Sequence, residues 1–212
     1  MEDTAKPQHN AQVFGKIAQK YTDEYFNDDS DFPHIARFLK DVKPGGRILD
    51  LACGPGMLTK HLLEEGFQAE GIDLSAEMID IARLKVPQAK FRVMDMRRLD
   101  YPDDHFDGLL ITYGLIYIPS SGLPATLKEF SRVLKPHGSI FMINQEGDTD
   151  HVEAEPMKPD EKLYVNFFSA ESLEASLGAA GFKVTNQELV PVDNPMVMAK
   201  HIIYTIAQKA SN

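Results

Sequence analysis

Apolar positions along the chain alternate between two periods. Val13, Phe14, Ile17, Ala18 and Tyr21 share one helical face over residues 11–23, and Ile35, Phe38 and Leu39 do the same behind Pro33. Ile48-Leu49-Asp50-Leu51 then forms a short, mostly apolar run that suits a buried strand starting at Arg47. Ala52-Cys53-Gly54-Pro55-Gly56 cannot continue that strand. Two glycines flanking a proline make a tight turn whose backbone can approach a ligand without side chains in the way. Helical spacing returns with Leu58, Leu62 and Leu63 and stops at Gly66, which suits a C-terminal cap.

The same unit recurs. Residues 67–73 read as a second strand, followed by a helix that Ser75 caps and that carries Met78, Ile79, Ala82 and Val86. Residues 91–96 read as a third strand and 108–112 as a fourth. Next come a helix with Leu127, Phe130, Val133 and Leu134 on one face and a fifth strand over 139–143. Strands alternating with helices predict an α/β fold on a parallel sheet. Two stretches depart from the rhythm. Residues 1–10 are polar and expected to fray. The connection 145–167 is too long for an ordinary turn, and leaving the fifth strand it is expected to act as a lid over the sheet's carboxyl edge. A helix capped by Ser169 with Leu173 and Leu177 ends at Gly181, and strands over 182–190 and 200–207 close the chain. The whole reads as one domain: a helical cap (1–43), a core (44–144), the lid (145–167) and a closing helix with two strands (168–212).

Three of these strands end in an acid: Asp50, Asp73 and Asp95. Ligands of open α/β sheets sit outside the carboxyl ends of the strands. A carboxylate at the loop mouth, Asp50, would repel a pyrophosphate and suit a ligand with a cationic end. Asp73 suits a ribose, because one carboxylate can accept from both hydroxyls. A dinucleotide loop also wants a third glycine, where this chain has Thr59.

Leu49-Asp50-Leu51-Ala52-Cys53-Gly54-Pro55-Gly56 resembles motif I of the class I S-adenosylmethionine-dependent methyltransferases. The Phe106-Asp107 pair before the fourth strand and the turn Leu134-Lys135-Pro136-His137-Gly138 resemble that family too, although His137 stands where a glycine is usual. The resemblance covers roughly residues 44–208. It implies a three-layer, doubly wound, mostly parallel seven-stranded sheet with an antiparallel last strand and helices on both faces. It also implies S-adenosyl-L-methionine as cofactor, leaving as S-adenosyl-L-homocysteine. Asp50 with Ala52, Cys53, Gly54, Pro55 and Gly56 would hold the methionine portion, and Asp73 the ribose. Asp95 and Met96 would take the adenine. Leu74, Met78, Thr112, Tyr113 and Tyr21 complete the expected cofactor site. Many relatives carry a histidine near Tyr117, so a histidine-based role at that position is not expected. Tyr25, Tyr117, Glu146, His151 and Tyr164 are the expected acceptor contacts.

Composition narrows the partners. The net charge is −10, and no basic cluster exceeds Arg97-Arg98, which argues against nucleic acid. The single cysteine, Cys53, fits a reducing compartment, and no apolar run approaches membrane-spanning length. A cytoplasmic monomer or homodimer acting on a small-molecule methyl acceptor is expected. No Ser/His/Asp set, metal-ligand spacing or nucleophile elbow singles out a catalytic residue. In-line methyl transfer needs none, being mainly a matter of proximity and orientation. Two other readings remain open: an NAD-dependent oxidoreductase on the same sheet, and a non-catalytic protein that binds the cofactor only.

Overall fold

The computed structural model describes residues 1–147, 149–193 and 197–210. Asp148 of the expected lid, and residues 194–196 and 211–212 of the closing segment, lie outside them. In chain order the elements are α1 (Lys6–Tyr25), α2 (Phe32–Leu39), β1 (Arg47–Leu51), α3 (Met57–Glu64), β2 (Gln68–Asp73), α4 (Ala76–Lys85), β3 (Lys90–Val93) and β4 (Phe106–Thr112). There follow α5 (Leu123–Val133), β5 (Leu134–Gln145), β6 (His151–Glu155), β7 (Lys158–Val165), α6 (Ala170–Ala179), β8 (Phe182–Pro191) and β9 (His201–Lys209). Seven strands form one sheet in the order β3-β2-β1-β4-β5-β9-β8. Strands β1 to β5 pair in parallel, and β9 runs antiparallel to both its neighbours. This is the doubly wound sheet with one antiparallel strand that the motif resemblance implies.

Alternation along the central strands decides what each face packs. Leu49, Leu51, Leu109, Ile111, Ile140 and Met142 point to the face covered by α5 and α6, through Leu127, Phe130, Leu173 and Leu177. Ile48, Leu110, Phe141 and Ile143 point to the other face, against Ile35, Phe38, Leu58 and Leu62 of α2 and α3. With apolar residues on both faces, β1 and β4 read as near-continuous hydrophobic runs, as buried parallel strands do.

Three expectations need correction. The first ten residues do not fray: α1 begins at Lys6 with Pro7 in its first turn, where a missing N–H costs nothing. Tertiary contacts hold it, because the Asn10 side chain donates to the Tyr164 carbonyl at 2.7 Å and accepts from the Tyr164 N–H at 3.0 Å. One amide thus caps the backbone edge of β7. The 145–167 connection is not an irregular loop but contains a β-hairpin of β6 and β7, which buries Leu163 and Val165. Finally, β3 ends at Val93, so Asp95 and Met96 stand in the loop beyond it. Among the described residues no helix is long and apolar enough to cross a membrane.

Candidate active site

The glycine loop is shaped by backbone conformations that side chains resist. Ala52, Gly54, Gly56 and, at the end of β4, Tyr113 all have left-handed backbone, with φ of 56°, 52°, 88° and 56°. The loop folds over the end of β2, where the Asp73 carboxylate accepts from the Gly54 N–H at 2.9 Å and from the Ser75 N–H at 2.8 Å. Each oxygen keeps a further lone pair free. Burial raises the Asp73 carboxyl above its usual range, against these backbone donors. Ser75 meanwhile caps α4 by accepting from the Met78 N–H at 3.3 Å.

A cavity opens in front of this loop. Ala52, Gly54, Asp73, Leu74, Met78, Asp95, Met96, Thr112, Tyr113, Tyr117 and Tyr21 line it, so the structure brings together most of the residues expected around a cofactor. Sequence reasoning missed Pro7, Asn10 and Phe14, which α1 lays across the opening. Only the docking of that helix on β7 places them, so no local motif could have found them. A nucleoside-sized ligand fits the chemistry of this wall. A Cβ built on Gly54 would project into open space, with Tyr21 Cε1 its nearest neighbour at 4.0 Å, so the loop offers bare backbone to the cavity. Asp95 is oriented by Arg97, whose guanidinium grips it at 2.6 Å while reaching back to the Thr4 carbonyl.

Several expected residues lie elsewhere. Asp50 is 1% exposed and outside the lining. It shares the face of Ile48, so its side chain runs under α3, where Thr59 donates to it at 2.6 Å. Thr59, which replaces a dinucleotide loop's third glycine, is therefore the partner of a buried acid. Cys53, Pro55 and Gly56 are buried behind the loop surface. Burial, then Asp50 and Asp73, push the Cys53 thiol far up, which makes it a packing residue. Of the expected acceptor contacts, Glu146 pairs with His201 at 2.6 Å and His151 with Glu153 at 3.1 Å. Tyr164 faces an outer groove with Met1 and Lys6. Only Tyr25 and Tyr117 reach the site.

A second chamber continues from the first. Phe14, Tyr21, Thr112, Tyr113 and Tyr117 line both. Tyr117 meets Phe14 edge-on at 5.1 Å, Phe14 meets Tyr21 at 6.2 Å, and Tyr21 meets Tyr25 at 4.8 Å, which carries an aromatic wall from one chamber to the next. The second chamber is completed by Asp31, Gln145, Glu155, Met157 and Tyr204. Tyr204 donates to Asp31 at 2.8 Å.

Asp50 gives the site a pH signature. Burial raises its carboxyl from 3.8 to about 7, with Thr59 opposing and Asp73 adding to the rise. A folded-state value above the unfolded one means the folded chain binds the proton more tightly between those limits. The group's contribution to stability therefore falls as pH rises through that window, by about 2–4 kcal/mol in all. Asp50→Asn keeps an acceptor for Thr59 and removes the titration. Relative to wild type, the variant should gain stability between pH 4 and pH 7 in denaturant melts; parallel curves would refute the raised value.

A parallel sheet with one antiparallel strand, a glycine loop after β1 and acids closing β2 and following β3 define the class I S-adenosylmethionine-dependent methyltransferase fold. Residues 48–138 match the family model described as "Methyltransferase domain". It is 39% identical over 140 residues to a 2-phytyl-1,4-naphtoquinone methyltransferase of Synechococcus elongatus, a match covering 58% of each chain. It is 32% identical over 149 residues to the ubiquinone/menaquinone biosynthesis C-methyltransferase UbiE of a Shewanella species, covering 63% of this chain and 57% of the relative. The matches thus span little more than half the length of these relatives. Among solved structures, the 1,6-didemethyltoxoflavin-N1-methyltransferase of Burkholderia thailandensis, with S-adenosylhomocysteine bound, superposes with a TM-score of 0.79 at 20% identity, covering 100% of this chain and 92% of that one.

Proposed function

We propose that this chain transfers a methyl group from S-adenosylmethionine to a small-molecule acceptor. The observation that carries the reading is the pair of chambers meeting at the carboxyl edge of β4, with Thr112, Tyr113 and Tyr117 common to both. Bound in the first chamber, the cofactor supplies a methyl already activated by its sulfonium. Bare backbone at Ala52 and Gly54 would hold the methionine portion, Asp73 the ribose hydroxyls, and Asp95 with the Met96 backbone the adenine. Asp50 supports the loop from behind through Thr59. Thr112, Tyr113 and Tyr117 border the junction and align donor and acceptor, while α1 excludes water by covering the opening. The quinone methyltransferase names of the relatives at 32–39% identity support a small acceptor.

Calorimetric titration with S-adenosylhomocysteine, run beside NAD, tests the reading. Micromolar binding of S-adenosylhomocysteine and none of NAD is expected. The reverse result would make the chain a dinucleotide-binding protein, and binding of neither would remove the proposal.

A further inference from the structure

Apart from Met57, Leu58, Thr112, Tyr113 and Tyr117, the second chamber is built outside the segment that matches the family model, residues 48–138. Its walls come from α1, the loop before α2, the β6–β7 hairpin and the edge of β8 and β9. What it accepts is therefore written in this chain's own residues. Three carboxylates line it, Asp28, Asp31 and Glu155, together with the phenols of Tyr21, Tyr25, Tyr113, Tyr117 and Tyr204. Among the described residues no lysine, arginine or histidine lines it. Asp28 is exposed at the rim and Asp31 is satisfied by Tyr204.

Glu155 differs from these two. It closes β6 at the hairpin turn and is 4% exposed, yet its Oε2 has no hydrogen-bond partner. Gln145, at the end of β5, is also 4% exposed and leaves its Oε1 unpartnered. Two buried acceptors without donors, both among the residues that line this chamber, are costly unless a ligand brings the donors. The cation whose charge acts on Glu155 is Lys20, and its ammonium is held by the Met157 carbonyl at 2.8 Å. Burial raises the Glu155 carboxyl above its usual range, against the backbone N–H groups of Lys158 and Met157 and the charge of Lys20. Burial chiefly raises the phenols of Tyr117 and Tyr25, with Tyr21 adding to the first, Glu24 and Asp28 to the second, and the Glu155 charge adding last to each, so its field reaches the wall shared by the two chambers.

We infer that the acceptor is an aromatic or apolar small molecule carrying an amine nitrogen, anchored by Glu155 and Gln145 and methylated on that nitrogen. Carboxylates and tyrosine faces favour a cationic or donor-rich group and disfavour an anion. The step balances. The bound ammonium first gives one proton to the Glu155 carboxylate; the lone pair so exposed forms the new N–C bond as the bond from methyl carbon to sulfonium sulfur breaks. The cofactor leaves as a neutral thioether, and its positive charge passes to the methylated nitrogen, which stays an ammonium.

The inference rests on the methyltransferase reading, and the test separates the two. Saturation-transfer NMR on the full chain with S-adenosylhomocysteine present would compare matched probes: phenethylamine, phenethyl alcohol and phenylacetate; tryptamine, tryptophol and indole-3-acetate; and methylhydroquinone. The amines are expected to bind at least tenfold more tightly than the alcohols, and the carboxylates not at all. Glu155→Gln should erase the amine preference while leaving S-adenosylhomocysteine affinity unchanged. Tighter binding of hydroquinone or carboxylates, no preference, no binding of any probe, or a Glu155→Gln variant indistinguishable from wild type would each overturn the inference. The wild-type panel decides it even if the variant does not fold. If S-adenosylhomocysteine itself fails to bind, the methyltransferase reading falls first.

Discussion

Replacing Asp73 by alanine is expected to weaken S-adenosylhomocysteine binding by about 100-fold. The carboxylate stands at the end of β2 with both oxygens directed by backbone donors, Gly54 N–H and Ser75 N–H. If it accepts from two ribose hydroxyls, each charge-assisted hydrogen bond contributes ~1.5 kcal/mol, and 1.4 kcal/mol is tenfold in affinity. The substitution also strips the Gly54 N–H of its partner, so a loop in left-handed backbone at Ala52, Gly54 and Gly56 loses the contact that ties it to β2. Asp73→Asn retains one acceptor oxygen and should fall only about tenfold. Calorimetry on both variants distinguishes lost ribose contacts from a collapsed loop: graded losses identify the ribose, equal losses identify the loop, and unchanged affinity would place the ribose elsewhere.

Asp73 was legible because its position depends only on local pattern. A strand-length stretch mixing apolar and polar residues, an acid at its end, then an N-cap serine puts the residue at a sheet's carboxyl end whatever the rest of the chain does. The same holds for Ala52, Gly54, Leu74, Thr112 and Tyr113, all at or just past a strand end and all on the cavity wall. The side toward which a strand residue points is less secure. Asp50 reads as a mouth residue, but alternation with Leu49 and Leu51 turns it toward α3 and Thr59. The hairpin was harder still. Its pairing, His151 with Val165 and Glu153 with Leu163, decides which side chains face the site, and no pairing is visible in one strand's composition. His151 and Tyr164 were the conspicuous residues there, yet Glu155 reaches the chamber. Val152 and Ala154 alternating toward a Glu155-Pro156-Met157-Lys158 turn was the signal available. Pro7 and Asn10 carried none, since their place depends on α1 meeting β7.

The second large effect concerns a slot that no motif announces. Phe91 is 6% exposed and lies between two glycines of different elements. A Cβ on Gly71, within β2, would come within 2.7 Å of its ring and 2.8 Å of the Cys53 Sγ. A Cβ on Gly56, in the loop, would come within 2.8 Å of the same ring. The absent side chains form the space the ring fills, and the ring in turn supports the loop from below with Cys53, Ile79 and Ala82. Interiors are packed too densely to absorb such overlap without moving atoms. Gly71→Val should therefore cost about 3 kcal/mol, at the upper end for overpacking, and lower the melting temperature by ~6–12 °C in a chain of this size. Gly71→Ala should cost about 1–2 kcal/mol and also weaken S-adenosylhomocysteine binding, because the new Cβ displaces the Phe91 ring and the Cys53 thiol, and Cys53 adjoins Gly54 in the loop. Phe91→Leu shrinks the ring side of the clash. If the slot is the cause, Gly71→Ala in the Phe91→Leu background should cost less than Gly71→Ala alone, a coupling of at least 0.5 kcal/mol in a double-mutant cycle. Additive losses would mean that Gly71 matters for the backbone of β2 and not for the room it leaves to Phe91.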